Sequence, residues 1–550
     1  MRAELQDKFP IVIVGSGPTG LALAIELGTR DVPCIILERE QRRGHAPRAK
    51  TTNVRTREIM RRWGISDALA QASPFGVDYP SHIHFVTRMD GYGLARFEHA
   101  ANCAPARDDR YSEHGQWIPQ YKLEAVLFEK ARQLPSIEFL FATEFIGLVQ
   151  GEDGVDVQVR NHATGSSDTI RASFLIGADG PRSSVREAIG ARMDGTYGLS
   201  RNYNVIFRAP GLAEAHPHGP GIMYWLINPD APSVVGPMDD DDRWFFGPMG
   251  LPADLTLTDD EMVVLIKRST GVDLPYEILS SDVWIASRLL ADRYRVGRVF
   301  LAGDACHLHP PFGGYGMNMG VADALDLGWK LAATVEGWGG SELLDSYEAE
   351  RRPVHHIVMD EAENNHKVAP NQLMRHGIEE PTAEGESIRA EVSELIARTK
   401  KQEFHTLGIV LGLRYLASPI IVPDGTEKDW VPNRDYVPSA APGCLAPHSW
   451  LADGRSLYDL FGAGFTLLAF DGVEQAYIDR AGAEAAELQV PLEVVRIGDV
   501  ELARVYERKM ALIRPDQHIA WRGDVWPDDH LFRTVTGFGT AIANLAEMDS

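Results

Sequence analysis

The 550-residue sequence predicts a mixed α/β fold: a parallel sheet flanked by helices, interleaved in sequence with an antiparallel sheet and followed by a C-terminal unit. Three observations predict it. An unbroken apolar strand, a glycine-spaced turn and an apolar helix open the chain. A second strand, glycine loop and helix recur near residue 303. A proline-punctuated connector at 418–442 then sets apart a last stretch with strands of its own.

Residues 9–14 run apolar and β-branched without alternation, the pattern of a strand buried on both faces. Gly15-Ser16-Gly17-Pro18-Thr19-Gly20 follows and opens a helix with apolar spacing at Leu21, Ala24, Ile25 and Leu27. A second buried strand, 33–37, ends at Glu38, eighteen residues past Gly20. G-x-G-x-x-G is weak alone, but between strand and helix, with an acid at this distance, it is a dinucleotide fingerprint. The first glycine permits the turn, the second admits a pyrophosphate and the third lets helix and strand pack. Glu38 is suited to accept hydrogen bonds from an adenosine ribose.

Further along, helices are expected at 53–63 and 121–133, and strands at 81–87, 94–99, 146–150, 155–159 and 169–176. The last strand runs into Gly177-Ala178-Asp179-Gly180 and a helix start where Ser183 and Ser184 can satisfy free N–H groups. Segments 204–207, 221–227, 233–237 and 243–247 read as another antiparallel sheet, with the acidic run Asp239 to Asp242 as a solvated hairpin tip. Strand 298–302 leads into the loop 303–320, which holds an acid at the strand end, a double proline, and Gly313, Gly314 and Gly316. Such a loop brings backbone close to a flat or phosphorylated ligand and ends on a helix N-terminus. Helical patterns dominate from 322 to 401, and strands return at 465–470 and 492–497.

A hydrophobic content of 44% with 24% charged residues describes an ordinary globular protein. The net charge of −24 argues against nucleic acid or an anionic membrane as partner. No apolar run approaches the ~20 residues of a membrane span, and the start lacks a hydrophobic signal core, so a cytoplasmic location is expected. Cys34, Cys103, Cys306 and Cys444 form no C-x-x-C and read as reduced thiols. His307 and His309 have no third ligand nearby in sequence, so loop packing is expected and no metal.

The fingerprint, Asp179-Gly180 and Gly303-Asp304, in this order, resemble the class A single-component FAD-dependent aromatic hydroxylases of the para-hydroxybenzoate hydroxylase type. Pro47-Arg48-Ala49, Pro119-Gln120-Tyr121-Lys122-Leu123-Glu124 and Tyr347-Glu348-Ala349-Glu350-Arg351-Arg352-Pro353 support the resemblance. Pro442-Gly443-Cys444 and the stretches 460–468 and 514–522 resemble the thioredoxin-like third domain of the phenol-hydroxylase branch; lacking C-x-x-C, it is expected to be redox-inert and to serve packing or dimerisation. The implied organisation is a Rossmann-like FAD-binding domain (about 1–80, 100–190 and 285–400) interleaved with an antiparallel-sheet substrate domain (about 80–100 and 190–285). A linker at 401–442 and the thioredoxin-like domain at 443–550 complete it.

Carried over residue by residue, the resemblance places Gly15, Gly17, Pro18, Thr19 and Gly20 on the pyrophosphate and Glu38 with Arg39 at the adenosine end. Arg48 and Gln120 would touch the phosphate and ribityl side, Asp179 would join the cofactor set, and Asp304 would accept from FAD hydroxyls or phosphate-bound water. Pro311, Gly314, Gly316, Met317 and Asn318 would border the isoalloxazine, with a helix beginning near Met317 aimed at the flavin C2 carbonyl. The implied activity is hydroxylation of a phenolic or polycyclic aromatic by dioxygen and transiently bound NAD(P)H, through a flavin C4a-hydroperoxide, in a homodimer. Baeyer–Villiger or epoxidising oxygenation on the same scaffold stays open, as does a flavin-bearing protein that binds an aromatic without oxidising it. The phenol-hydroxylase branch often carries an acid after Pro-Arg-Ala; here Lys50-Thr51-Thr52-Asn53-Val54-Arg55 has none, and no catalytic residue is assigned. His45, Asn53, Tyr224 and Trp225 are the candidates for lining the pocket.

Overall fold

Ile11–Val14, buried along its whole length, is central to a six-stranded sheet. In the computed structural model, which describes residues 9–40, 49–252, 254–366, 370–527 and 530–539, it lies between Phe174–Gly177 and Cys34–Leu37. Val299–Leu301 and Ile137–Leu140 extend the parallel arrangement outward, and Arg295–Val296 adds an antiparallel edge. Parallel strands need cover on their faces. Helices Pro18–Gly28, Gln120–Arg132 and Tyr315–Glu336 pack together, and their apolar residues join the strands in the largest core. Strands Thr143–Gln150, Val155–Asn161 and Ser167–Ala172 form a separate antiparallel meander.

An eight-stranded sheet stands beside the parallel one. Its two longest strands, Met193–Arg208 and Glu277–Ala291, pair antiparallel with register shifts near Thr196/Ser200 and Ile206/Phe207. The sequence reading has only 204–207 of the first and nothing of the second. Met193–Arg208 opens polar and glycine-bearing, so its pairing comes from the partner strand rather than from its own pattern. Helix Asp259–Thr270 also lies outside that reading, although Thr258 and Glu261 close a capping box there. Strand Ile83–Val86 runs parallel to Met223–Leu226, joining two regions far apart in sequence into one mixed sheet. The acidic turn differs from expectation at its first residue: Asp239 is buried and accepts a hydrogen bond from the Tyr121 hydroxyl at 2.7 Å, while Asp240 to Asp242 are exposed.

The C-terminal unit is built on a four-stranded sheet in which Phe465–Phe470 pairs in parallel with Leu492–Ile497 and antiparallel with Met510–Ile513; Ile519–Gly523 closes one edge. Trp329 and Trp338 of the first part pack with Phe465 and Phe532 in one shared cluster. A buried ionic group crosses the same boundary. Arg514 donates to Glu350 at 2.6 and 2.9 Å, to Asp326 at 3.3 Å and to Asp516 at 2.6 Å. Lys330 donates to Asp326 at 2.7 Å and to Glu350 at 2.6 Å. Arg55 reaches across to the Gln517 amide oxygen at 2.5 Å and to the Asp516 carbonyl at 2.7 Å. Charges taken out of water are tolerated only as a mutually paired set.

Candidate functional site

Three turns leave the carboxyl ends of adjacent parallel strands: Gly15 after Val14, Asp179 after Gly177 and Gly303 after Leu301. This end of an open parallel sheet is where such folds bind ligands. The turns touch. A Cβ on Gly15, whose φ is +105°, would lie 2.4 Å from the Ala178 carbonyl oxygen, and one on Gly303, at φ +62°, would lie 2.5 Å from the Thr19 hydroxyl. Arg186 donates to the Ala305 carbonyl at 3.0 Å and to the Pro181 carbonyl at 3.0 Å, binding the second turn to the third.

Glu38 is fixed beside the first turn. Its carboxylate accepts from the Ser16 N–H at 3.1 Å, the Ser16 hydroxyl at 2.7 Å and the Glu40 N–H at 3.0 Å, with lone pairs left over. Asp179 is spent locally: it accepts from the Ser183 hydroxyl at 2.5 Å and the Val185 N–H at 3.2 Å, and burial pushes its carboxyl upward. Asp304, half-buried, sits in the single turn Gly303–Ala305. Gln120 accepts from the Ala49 N–H at 3.0 Å and donates to Glu124 at 2.8 Å. Arg39 is exposed beside Glu40, and Pro311 is exposed. Arg48 and His45 lie outside the described residues.

Beneath the third turn Asp323 collects four donors: the Gly303 N–H at 3.1 Å, His307 at 2.8 Å, Arg351 at 2.8 Å and His355 at 3.0 Å. Burial would raise its carboxyl, but His355, Arg351 and His307 hold it well below the usual range. Cys306, His307 and Asp323 come within reach of a common ion. Asp323 is already bonded to the Arg351 guanidinium, whose charge opposes a second cation. Sequence reasoning overlooked Asp323, because nothing marks a helical aspartate as the post that supports a turn twenty residues earlier.

The long helix begins at Tyr315 rather than near Met317, with Gly314 as its N-cap at φ +68° and no side-chain cap. Met317 is half-buried against the main core. Asn318 does not turn its amide outward: it donates to the Thr51 carbonyl at 3.0 Å and the Gly314 carbonyl at 2.6 Å, and accepts from the Asn53 N–H at 3.0 Å. Asn53 is likewise a cap, its amide oxygen accepting from the Thr56 N–H at 2.9 Å.

Tyr224 and Trp225, being consecutive on a strand, face opposite ways. Tyr224 stacks on His84 at 5.0 Å, donates to the Gly219 carbonyl at 2.6 Å and packs with Phe207 and Phe246. Trp225 stacks on Phe85 at 5.1 Å in a cluster with Trp117, Phe245 and Phe312. Phe312 of the glycine loop packs against the Trp225 cluster, as do Ile396 and Phe404 of helix Ala383–Phe404, whereas Tyr224 lies in the cluster on the other face.

Two helix N-termini, at Gly17 and Gly314, carry no side-chain cap. At Gly17 and again at Gly316 a Cβ would meet no atom within 4 Å, whereas one on Gly20 would lie 2.0 Å from the Gly15 carbonyl oxygen. Uncapped N–H groups beside open space suit a pyrophosphate at the first helix and an electron-rich ring at the second. The residues present therefore fit FAD. The FAD binding domain family matches residues 8–362, and the family of aromatic-ring hydroxylase C-terminal domains matches residues 439–541.

The chain belongs to the FAD-dependent aromatic-ring hydroxylases.

Tetracenomycin B2 monooxygenase-dioxygenase of Streptomyces olivaceus is 32% identical to this hydroxylase, over 95% of its chain and 96% of the relative. Phenol 2-monooxygenase of a Pseudomonas species is 31% identical over 96% and 92%. The solved structure of the rebeccamycin biosynthetic enzyme RebC with reduced flavin aligns at a TM-score of 0.88 and 32% identity, over 97% and 99% of the two chains. A ternary complex of aklavinone-11 hydroxylase with FAD and aklavinone aligns at 0.81 and 29%, over 96% and 99%. The hydroxylase is an FAD-dependent aromatic monooxygenase that draws its electrons from NAD(P)H. Among its described residues no helix is long and apolar enough to cross a membrane.

Proposed function

We propose that the hydroxylase oxidises a phenolic polycyclic aromatic compound held between the aromatic face of the eight-stranded sheet and the 303–320 loop. The observation that carries this reading is the meeting of Trp225, Trp117 and Phe245 with Phe312 of the loop. The aklavinone bound with FAD in the ternary complex of aklavinone-11 hydroxylase supports the substrate class.

FAD, when bound, supplies the reducible ring at which dioxygen is activated. The backbone of Gly15, Gly17, Pro18, Thr19 and Gly20 binds the pyrophosphate, and Glu38 holds the adenosine ribose. Arg48 and Gln120 line the phosphate and ribityl side, with Asp304 accepting from hydroxyls there. Gly314, Gly316 and Met317 border the ring through their backbone, and the helix N-terminus favours negative charge beside it. The aromatic face orients the substrate and excludes water from the reacting atoms. The domain division is an FAD-binding part (1–80, 100–190, 285–400), a substrate sheet (80–100, 190–285), a linker (401–442) and a C-terminal domain (443–550). The protein works as a homodimer in the cytoplasm, where its four buried cysteines stay reduced.

The test is the visible spectrum of the purified protein, followed by NAD(P)H loss with a panel of polycyclic phenols and products formed under labelled dioxygen. Ring hydroxylation coupled to NAD(P)H loss supports the reading. A colourless protein that takes up no FAD overturns it, and labelled oxygen placed beside a carbonyl replaces it with Baeyer–Villiger chemistry.

A further inference from the structure

Lys50 occupies the junction between the glycine loop and the sheet. It immediately precedes Thr51–Thr52, which pairs with Gln116–Trp117. The Thr51 Cβ lies 3.6 Å from where a Cβ on Gly314 would stand, and Asn318 grips the Thr51 carbonyl at 3.0 Å. From there the Lys50 ammonium reaches to 4.2 Å from the centre of the Phe245 ring. Phe245 stands 6.1 Å from Trp117, within the cluster that contains Trp225 and Phe312.

Among the described residues, one donor beside this cluster has no paired acid and another has no hydrogen-bond partner. The first is Lys50 and the second is the buried Trp117 indole N–H. Buried donors are normally satisfied, so an acceptor that arrives with the ligand would complete the site. The second lysine of the cluster makes the contrast. Lys400 lies 4.2 Å from the Trp225 ring but is bonded to Glu403 at 2.6 Å and to the Asn365 carbonyl at 3.3 Å. Asp239, in the acidic turn of the same sheet, is held by Tyr121 at 2.7 Å and Arg243 at 3.2 Å.

We propose that Lys50, with the Trp117 indole N–H as second donor, binds the ionised oxygen of a phenolic or enolic substrate. Lys50 thereby acts as a positioning residue that selects the substrate as its anion. Burial lowers its ammonium to about 8, and an anion bound there restores the charged form. The inference rests on the function proposed above and adds to it the group that recognises the phenol.

The experiment uses FAD-loaded protein titrated with 2-naphthol, 1,8-dihydroxyanthraquinone and their methyl ethers, followed by the flavin absorbance. Wild type is expected to prefer the free phenols by roughly ten- to hundredfold, the range of a hydrogen bond to a charged group. Lys50→Met abolishes that preference at unchanged FAD content, Lys50→Arg keeps most of it, and Trp117→Phe loses part. The pH midpoint for naphthol binding moves up in Lys50→Met, which a merely structural lysine would not cause. Lys50→Gln provides a second neutral variant if the methionine variant does not load FAD. A preference retained in the neutral variants, or absent in wild type, overturns the inference. Wild-type protein that holds no FAD, or oxidises NAD(P)H with no aromatic, instead overturns the function on which it rests.

Discussion

Replacing Arg514 by methionine should uncouple the C-terminal unit from the rest of the enzyme. In wild type three acids, Asp326, Glu350 and Asp516, share the buried site with Arg514 and Lys330. Methionine fills much of the volume but leaves the three carboxyls with one cation. Removing one partner from a buried ionic set costs about 3–5 kcal/mol. The Glu350 carboxyl reports the same imbalance: burial would raise it, yet Arg514 and Lys330 bring it down from 4.5 to about 2. A depressed carboxyl stabilises the fold above its unfolded value and loses that contribution as pH falls through the folded value. The Glu350 share of the variant's deficit should therefore be full at neutral pH and shrink from about pH 4.5 toward 2. Urea unfolding followed by tryptophan and flavin fluorescence is the assay, with the midpoint of the first transition as readout because a protein of several parts unfolds in steps. Limited proteolysis in 418–442 should accelerate in parallel. An unfolding free energy from the first transition within about 0.5 kcal/mol of wild type would refute the reasoning, since that is the range of surface substitutions.

Gly17→Ala should leave the melting temperature unchanged but weaken FAD by about tenfold or more, because its methyl enters the open space by the first helix; Gly20→Ala should cost about 1–3 kcal/mol of stability through its clash with Gly15. Fluorescence titration with FAD and thermal melts separate the two. A thiol reagent should find none of the four cysteines quickly in the folded enzyme and all of them in urea, since all are buried and burial pushes Cys34 and Cys103 up to about 12. Burial holds His355 down to about 3, and His84, His216 and His448 to about 4, against an ordinary 6.5. Below pH 6.5 the unfolded chain takes up protons that the native histidines refuse, so the urea midpoint should be lower at pH 5 than at pH 7.

Local pattern made much of this fold legible. Strand 233–237 and strands 465–470 and 492–497 stand where their apolar runs place them, because each carries its own burial signal. The glycine turns were readable for the same reason: a strand, a turn and a helix are adjacent in sequence. What escaped depends on partners far away. The pairing of Met193–Arg208 with Glu277–Ala291 joins segments far apart in sequence, the first of which opens polar and glycine-bearing. Asp323 earns its role only where Arg351 and His355 fold back onto it. Asn53 and Asn318 looked like ligand-facing polar groups; instead the Asn53 amide oxygen caps its own helix and the Asn318 amide ties that helix start to its own. Tyr224 and Trp225 were equivalent in sequence; only the strand's alternation, once its sheet was known, sent one toward the loop and the other away.

The ionic group at the C-terminal boundary also sets an order of events during synthesis. Asp326, Lys330 and Glu350 leave the ribosome well before Arg514 and Asp516 do. Until then the helices that support the third turn keep two carboxylates with one ammonium, and water must stay between them. The nascent enzyme therefore cannot dry that interface before nearly the whole chain has emerged. A message cut short of residue 514 therefore yields a protein whose C-terminal boundary stays wet around Asp326, Lys330 and Glu350.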